Sequence, residues 1–336
     1  MNPIMKQIHT TFMLLLLSLV GITACSSHKK QAENIASETS DTEIAVPAFD
    51  ADSAWNYVKV QVDFGPRVPN TPAHQACGNY LAQKLEQLGA KVYNQYADLT
   101  TYDGTLLKAR NIIGSYKPES KKRIALFAHW DCRPWADNDP DKKNHRTPVL
   151  GANDGASGVG VLLEIARHLQ QQAPNLGIDL IFFDAEDYGA HTSYQGKHQE
   201  EFWCLGSQYW SRNPHVANYN ARFGILLDMV GGKDARFRYE YFSEQYAKNI
   251  NRKVWKAADR AGFRGYFEKA DGGGCTDDHL FVNRIARIPT IDIIPYSETE
   301  SFFEHWHTVK DNMDAIDRNT LKAVGQTVMQ VIYNEK

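Results

Sequence analysis

Three carboxylates crowd four positions at Asp184, Glu186 and Asp187, directly after the apolar run Ile181-Phe182-Phe183. A carboxylate at the end of a buried strand must stay hydrated, shift its pKa or meet a cation. The chain repeats the pattern elsewhere. His129 and Asp131 follow the apolar run at 124–128, and Asp228 ends the run at 223–227. Asp154 sits in Gly-Ala-Asn-Asp-Gly at 151–155, and His307 in Phe-Glu-His-Trp-His at 303–307. No lysine stands nearby in the sequence to neutralise these acids, so a divalent metal is the economical counter-charge. Imidazole mixed with carboxylate favours zinc over calcium or magnesium, and three protein ligands plus an open position is the catalytic form of a zinc site. Taken singly, each acid is more often a helix cap and each histidine a satisfied structural one. The conjunction is what points to chemistry.

These residues can meet only if the elements carry them to one place. The stretches 123–130, 178–184, 223–230 and 289–296 are short and apolar and read as central strands. Between the first two, residues 155–170 open on small residues and continue as a helix, which makes a strand-helix-strand unit. Thr71-Pro72 starts a helix in which Ala76, Tyr80, Leu81, Leu85 and Leu88 recur at helical spacing, with Gly89 as the stop. Residues 243–261 and 319–333 read as further helices, and 91–99 with 109–116 as a hairpin at one side of the sheet. The alternation predicts a single α/β domain over 48–336. Open α/β sheets bind ligands at the carboxyl ends of their strands, where His129, Asp131, Glu186, Asp187 and Asp228 all fall.

The rest of the composition narrows the function. With 336 residues and 43% hydrophobic content the chain can form one large or two small domains. A formal charge of -3 without a basic run argues against a nucleic-acid partner. Lys6 and His9 precede the apolar run 12–20, which is too short to span a bilayer, and Ile-Thr-Ala-Cys follows at 22–25. Residues 1–25 read as a lipoprotein signal peptide with Cys25 as the lipidated residue, hence an exported bacterial protein anchored in the periplasm or cell envelope. An ordinary signal peptide with an incidental cysteine would export the chain as well. The polar, aperiodic segment 26–47 reads as a flexible tether. Cys77, Cys132, Cys204 and Cys275 are widely spaced, without a CxxC pair, so they suggest neither a zinc ribbon nor a dithiol redox site. One or two disulfides are allowed in an oxidising compartment, with no pairing readable.

The motifs also carry a resemblance. HWDCRPWADND at 129–139, GANDGASGVGVLLE at 151–164, IFFDAEDYG at 181–189, LLDMVGG at 226–232, TDDH at 276–279 and EHWHTVKDN at 304–312 occur in this order, preceded by DFGPRVPNTPAH at 63–74. Together they resemble the zinc-dependent aminopeptidase superfamily, most closely the glutaminyl cyclases of animal type as found in bacteria. The likeness runs from about residue 49 to the end of the chain. It implies a three-layer α/β/α fold with a central mixed twisted sheet, and conversion of an N-terminal glutamine to pyroglutamate with release of ammonia. Asp154, Asp187 and His307 are then the ligands of one zinc, and Glu186 the general acid/base. Asp228 and Asp277 hydrogen-bond around the reacting groups, and Trp306 walls the substrate pocket. His129 and Asp131 match an HxD motif whose histidine holds a second metal in two-zinc aminopeptidases, which is the alternative function. The partners implied are peptides or proteins with N-terminal glutamine, and a monomer is the default.

Three further expectations belong to this reading. Animal cyclases carry Glu where this chain has Asp187, and histidine where it has Asp292. Asp292 is therefore expected at the substrate pocket, sharing a proton with a neighbouring acid such as Asp277. The aperiodic segment 190–205 is either a plain surface loop or a lid whose Trp203 or Tyr194 supplies a second aromatic wall. For Glu186 and Asp187 to serve one small site, the backbone must turn at 185–187, through unusual dihedrals or an unusual peptide bond.

Overall fold

The computed structural model describes residues 45–296 and 302–336. The signal peptide, Cys25 and the tether up to residue 44 lie outside the described residues. Along the chain, α1 (Ala51–Asp63) and α2 (Pro72–Gln87) precede β1 (Lys91–Thr100), β2 (Leu106–Tyr116) and β3 (Arg123–His129). Next come α3 (Ala156–Gln171), β4 (Gly177–Phe183), α4 (Leu205–Arg212), β5 (Gly224–Leu227) and β6 (Phe237–Tyr239). The last are α5 (Tyr241–Ala261), β7 (Phe267–Asp271), α6 (Asp278–Phe281), β8 (Thr290–Ile293) and α7 (Arg318–Asn334).

Six strands form the main sheet in the order β1-β2-β4-β3-β5-β8, and β6 pairs with β7 in a small separate sheet. The hairpin β1-β2 is antiparallel, as is β2 against β4; β4, β3, β5 and β8 run parallel. The sheet is therefore mixed, with β1 at one edge. Successive strand residues point to opposite faces. Ile124, Leu126 and Ala128 of β3 join a large core with α1, α2, α3 and α7, while Ala125 and Phe127 join a smaller one with Trp210 of α4, Val282 and Ile288. Both faces are covered, which makes a three-layer α/β/α sandwich and explains why β3 and β4 are buried along their whole length. Truncating a side chain such as Phe127 to alanine costs about 3–5 kcal/mol.

Local signals set the helix ends. The Thr71 hydroxyl accepts from the His74 amide (3.2 Å), Pro72 opens α2, and Gly89 closes the turn at φ 83°. Helix α1 was absent from the sequence reading. Asp50 caps it, Ala54, Val58 and Val62 form its buried stripe, and the Asp50 amide donates to Glu164 of α3 at 3.3 Å. Helix α5 starts two residues earlier than expected because Glu240 caps the amides of Phe242 and Ser243. Cys77, Cys132, Cys204 and Cys275 are buried and free, so no disulfide joins them. Among the described residues, no helix is long and apolar enough to cross a membrane.

Candidate active site

Because β3, β4, β5 and β8 are parallel, their carboxyl ends open on one edge of the sheet. The acids after β4 reach that edge through a left-handed residue, Ala185 at φ 53°. The Asp131 carboxylate then takes two successive amides: Oδ1 accepts from Glu186 N at 3.1 Å and Oδ2 from Asp187 N at 3.2 Å. This turns the backbone so that the two side chains diverge around one cavity. The unusual feature expected at 185–187 is this left-handed residue; the cis peptide bond among the described residues joins Asp154 and Gly155 instead.

Asp154 is held by the same device. The Asp311 carboxylate accepts from the amides of Asn153 (2.8 Å) and Asp154 (3.1 Å). Gly155 must follow, since a Cβ there would lie 2.4 Å from the His129 carbonyl oxygen and 2.7 Å from the His129 ring. His307, left-handed at φ 55°, places Nε2 2.9 Å from Asp187 Oδ1 and 3.6 Å from Asp154 Oδ2. Asp154, Asp187 and His307 each offer a ligand atom within 4.8 Å of the others, and all three are buried. Asp187 Oδ2 is buried without a hydrogen-bond partner. Two carboxylates, one imidazole and an orphaned buried oxygen fit a zinc ion.

Around this trio the protein supplies its own charges. Burial pushes the Glu186 carboxyl well above its ordinary range; the His129 ring opposes this, and Asp187, Asp277 and Asp278 add to it. His129 Nε2 lies 3.0 Å from Asp154 and 3.3 Å from Asp228, with Nδ1 3.5 Å from Asp131. Burial favours the neutral ring, but these three carboxylates outweigh it and hold the imidazole well above its usual pKa. His129, Asp154 and Asp228 also form a second group of donors within 4.8 Å of one another.

A cavity of about 240 Å³ opens over these residues. Asp154, Glu186, Asp187, Asp228 and Asp277 line its polar side, and Trp203, Phe302 and Trp306 its aromatic side. The Trp306 and His307 rings stack at 3.9 Å between centroids. Trp203 lies parallel to His307 at 6.2 Å. Of the two aromatics considered in 190–205, Trp203 lines the cavity, whereas Tyr194 packs with Tyr102 and Phe202.

Two sequence expectations need correcting. Asp292 does not line the cavity: it is fully buried in β8 behind Asp277, with His279 Nδ1 3.6 Å from its Oδ2. Burial, then the charges of Asp277 and Asp228, push its carboxyl well above the ordinary range, and its side chain hydrogen-bonds that of Asp277. The acids also have a counter-charge, supplied by an arginine rather than a lysine. The buried Arg133 guanidinium pairs with Asp137 (2.7 Å) and donates to the carbonyls of Asp187, Gly189 and Ala190. It lies 4.8 Å from the centre of the Trp203 ring, so one cation fixes both the Asp187 loop and an aromatic wall. Its signal in the sequence was an arginine four residues before an aspartate inside the motif that begins at His129.

Residues 111–332 match peptidase family M28. The fold superposes on the crystal structure of a glutaminyl cyclase from Bacteroides thetaiotaomicron bound to N-acetylhistamine with a TM-score of 0.86. The two are 73% identical over 87% of this chain and 100% of that one. It superposes equally on a protein of the same organism described as a leucine aminopeptidase precursor: TM-score 0.85, 73% identity, 87% and 99% of the two chains. Bovine glutaminyl-peptide cyclotransferase is 26% identical over 304 residues, spanning 80% of this chain and 78% of that one.

Proposed function

We infer that this chain, which belongs to peptidase family M28, is a glutaminyl-peptide cyclotransferase acting on the N-terminal glutamine of peptides. The observation that carries this is the meeting of Glu186 with the Asp154-Asp187-His307 trio at one small aromatic-walled cavity, in a fold that superposes on a glutaminyl cyclase.

The reaction joins the free α-amine to the γ-carbon of the same residue and expels ammonia. Zinc, held by Asp154, Asp187 and His307, supplies Lewis-acid polarisation of the γ-carbonyl when bound. Glu186 takes a proton from the attacking amine and returns it to the departing amide nitrogen, so its carboxylate must reach both nitrogens. Burial raises its pKa well above the ordinary carboxyl range, which suits a group that must accept and then donate. Asp228 and Asp277 face the same space and hold the substrate's N–H groups. Trp203, Phe302 and Trp306 confine the side chain in the folded-back conformation, where nucleophile and electrophile are already neighbours, and exclude competing water.

A second reading, a two-zinc aminopeptidase, has one observation in its favour: His129, Asp154 and Asp228 form another group of ligands sharing Asp154. Incubation of Gln-initiated and Leu-initiated peptides with the pure enzyme separates the two. Ammonia release without chain shortening, with one zinc per chain, is the expected result; a released free amino acid and two zinc ions per chain would replace cyclase by peptidase. The N-terminal segment completes the proposal, with the enzyme exported and lipid-anchored at Cys25, acting on N-termini exposed after signal removal. A mature protein whose first residue is not a lipid-bearing Cys25 removes that part alone.

A further inference from the structure

We propose that Asp137 is a positioning residue of the metal trio: it joins the loops that carry His307 and Asp187, and so sets the affinity of the site for zinc. Residues 137–139, after β3, grip residues 307–309 at three points. Asp137 Oδ1 lies 3.7 Å from His307 Nδ1, the Asn138 amide donates to the His307 carbonyl at 3.2 Å, and the Val309 amide donates to Asp139 Oδ2 at 3.1 Å. His307 is left-handed at φ 55°, a conformation that a residue with a side chain keeps where its surroundings impose it. The grip divides the two ring nitrogens. Nε2 faces Asp187 and Asp154 at 2.9 and 3.6 Å, whereas Nδ1 faces Asp137. An imidazole that binds a metal through Nε2 carries its proton on Nδ1, and a carboxylate beyond that nitrogen fixes the tautomer and the ring's orientation. At 3.7 Å the contact is electrostatic rather than a full hydrogen bond, so the charge of Asp137 matters and not its shape alone.

Asp137 is itself fixed from the other side. Arg133 donates to its Oδ1 at 3.1 Å and its Oδ2 at 2.7 Å, and the Thr192 amide donates to Oδ2 at 2.9 Å. The same guanidinium donates to the Asp187 carbonyl at 3.0 Å. A line of buried contacts therefore runs from one ligand to another, from His307 through Asp137 and Arg133 to Asp187, without passing through the metal. Ligands held in this way keep their spacing before the ion arrives, so binding need not order them. This role rests on the metal trio assigned above and not on the reaction.

The test is zinc affinity, read by chelator competition without turnover. Asp137→Asn keeps the shape and removes the charge, and zinc should bind about 10–100-fold more weakly. The rise in melting temperature on adding zinc should shrink with it. Asp179→Asn is the control for stability alone, since Asp179 pairs with Arg123 at 2.6 Å, equally buried, in the amino-terminal half of β4. It should lower the melting temperature and leave the zinc dissociation constant within about twofold of wild type. Should Asp137→Asn fold poorly, Arg133→Lys must weaken zinc about tenfold or more, because lysine keeps a charge beside Asp137 but not the fork that also reaches the Asp187 carbonyl. An Asp137→Asn enzyme that binds zinc as tightly as wild type, or an equal loss in Asp179→Asn, overturns the positioning role. Zinc binding unchanged in His307→Ala overturns the trio, and the role of Asp137 with it. Weakened zinc binding in Asp137→Asn beside a wild type that releases no ammonia upholds the positioning role and refutes the cyclase reading instead.

Discussion

Asp131→Asn is the sharpest probe of how the two adjacent acids are presented. In the wild type each carboxylate oxygen accepts one amide, from Glu186 and from Asp187, and the side chain is fully buried. Asparagine keeps one acceptor and turns a donor toward the other amide. A charge-assisted hydrogen bond contributes about 1.5–3 kcal/mol, and an unpaired buried N–H costs about 1–3 kcal/mol more, so roughly 3–5 kcal/mol of local restraint is lost. An opposing effect exists, because removing this charge relieves Asp184 and Asp278, whose carboxyls Asp131 helps push up. At an effective dielectric of about 20 that relief is on the order of 1–2 kcal/mol, so the lost geometry wins. A displacement of about 1 Å at reacting groups costs on the order of 100-fold, which is the expected fall in kcat/KM for ammonia release from a Gln-initiated peptide. Zinc affinity, read by chelator competition, should fall about 10–100-fold because Asp187 moves with Glu186. A variant within about threefold of wild type in both quantities refutes the cradle, since one amide would then suffice to set the geometry.

Glu186→Gln should lower kcat by about 10²–10⁴-fold with zinc content unchanged; substantial residual turnover removes its acid/base role. Asp292 holds a proton in the folded state that the unfolded chain releases, so its contribution to stability shrinks as pH rises above the ordinary aspartate range. Asp292→Asn removes that penalty, and the variant's melting temperature should gain on wild type between about pH 5 and about pH 8. Its pH-rate profile should change too, and an unchanged profile dissolves the Asp277-Asp292 coupling. Burial pushes the Glu164 carboxyl up, but hydrogen bonds from His168 and Arg167 carry it down to about 2 from an ordinary 4.5. Its contribution of about 3 kcal/mol is present above pH 4.5 and fades as pH falls toward 2. Glu164→Gln should therefore melt about 6–12 °C lower at neutral pH, and a gap that does not close in acid refutes the assignment.

What the sequence made legible was periodic or punctuated. Apolar runs of strand length, Thr71-Pro72 as a helix start and small residues opening α3 are local signals, and parallel strands bring their ends together whatever the packing detail. The site acids could thus be placed on one edge before any distance was known. Three things were not legible, for a common reason. Nothing in Asp-Ala-Glu-Asp at 184–187 marks Ala185 as left-handed, because Asp131, 54 residues away from it, imposes the turn by binding the amides that follow. Trp203 rather than Tyr194 walls the cavity because its ring lies against Gly189, where a Cβ would sit 2.1 Å from the indole. Asp292 recedes behind Asp277 because its amide is fixed by Ser243 Oγ of α5 at 3.0 Å. Helix α1 is the opposite case: Ala54, Val58 and Val62 recur every four residues and could have been read.

The site's electrostatics can be sorted by how each acid is neutralised. Asp137 has Arg133, and Asp184 has both oxygens 2.9 Å from His74 Nε2. Asp131 and Asp311 are solvated by pairs of backbone amides, and Asp228 shares His129 with Asp154. Asp292 is neutralised by its own proton. Asp187 is different. Its Oδ1 meets the neighbouring His307, its Oδ2 meets nothing, and the nearby Arg133 spends its donors on carbonyls and Asp137. A buried carboxylate oxygen left without a donor is costly, and a cation is a partner that satisfies it. Each of those acids has a proton, an imidazole, a guanidinium or an amide pair, and none of these reaches Asp187 Oδ2. In the function proposed above, that oxygen takes the zinc, and the acid crowding after β4 serves a division of labour in which one carboxylate binds the ion while its neighbour moves a proton.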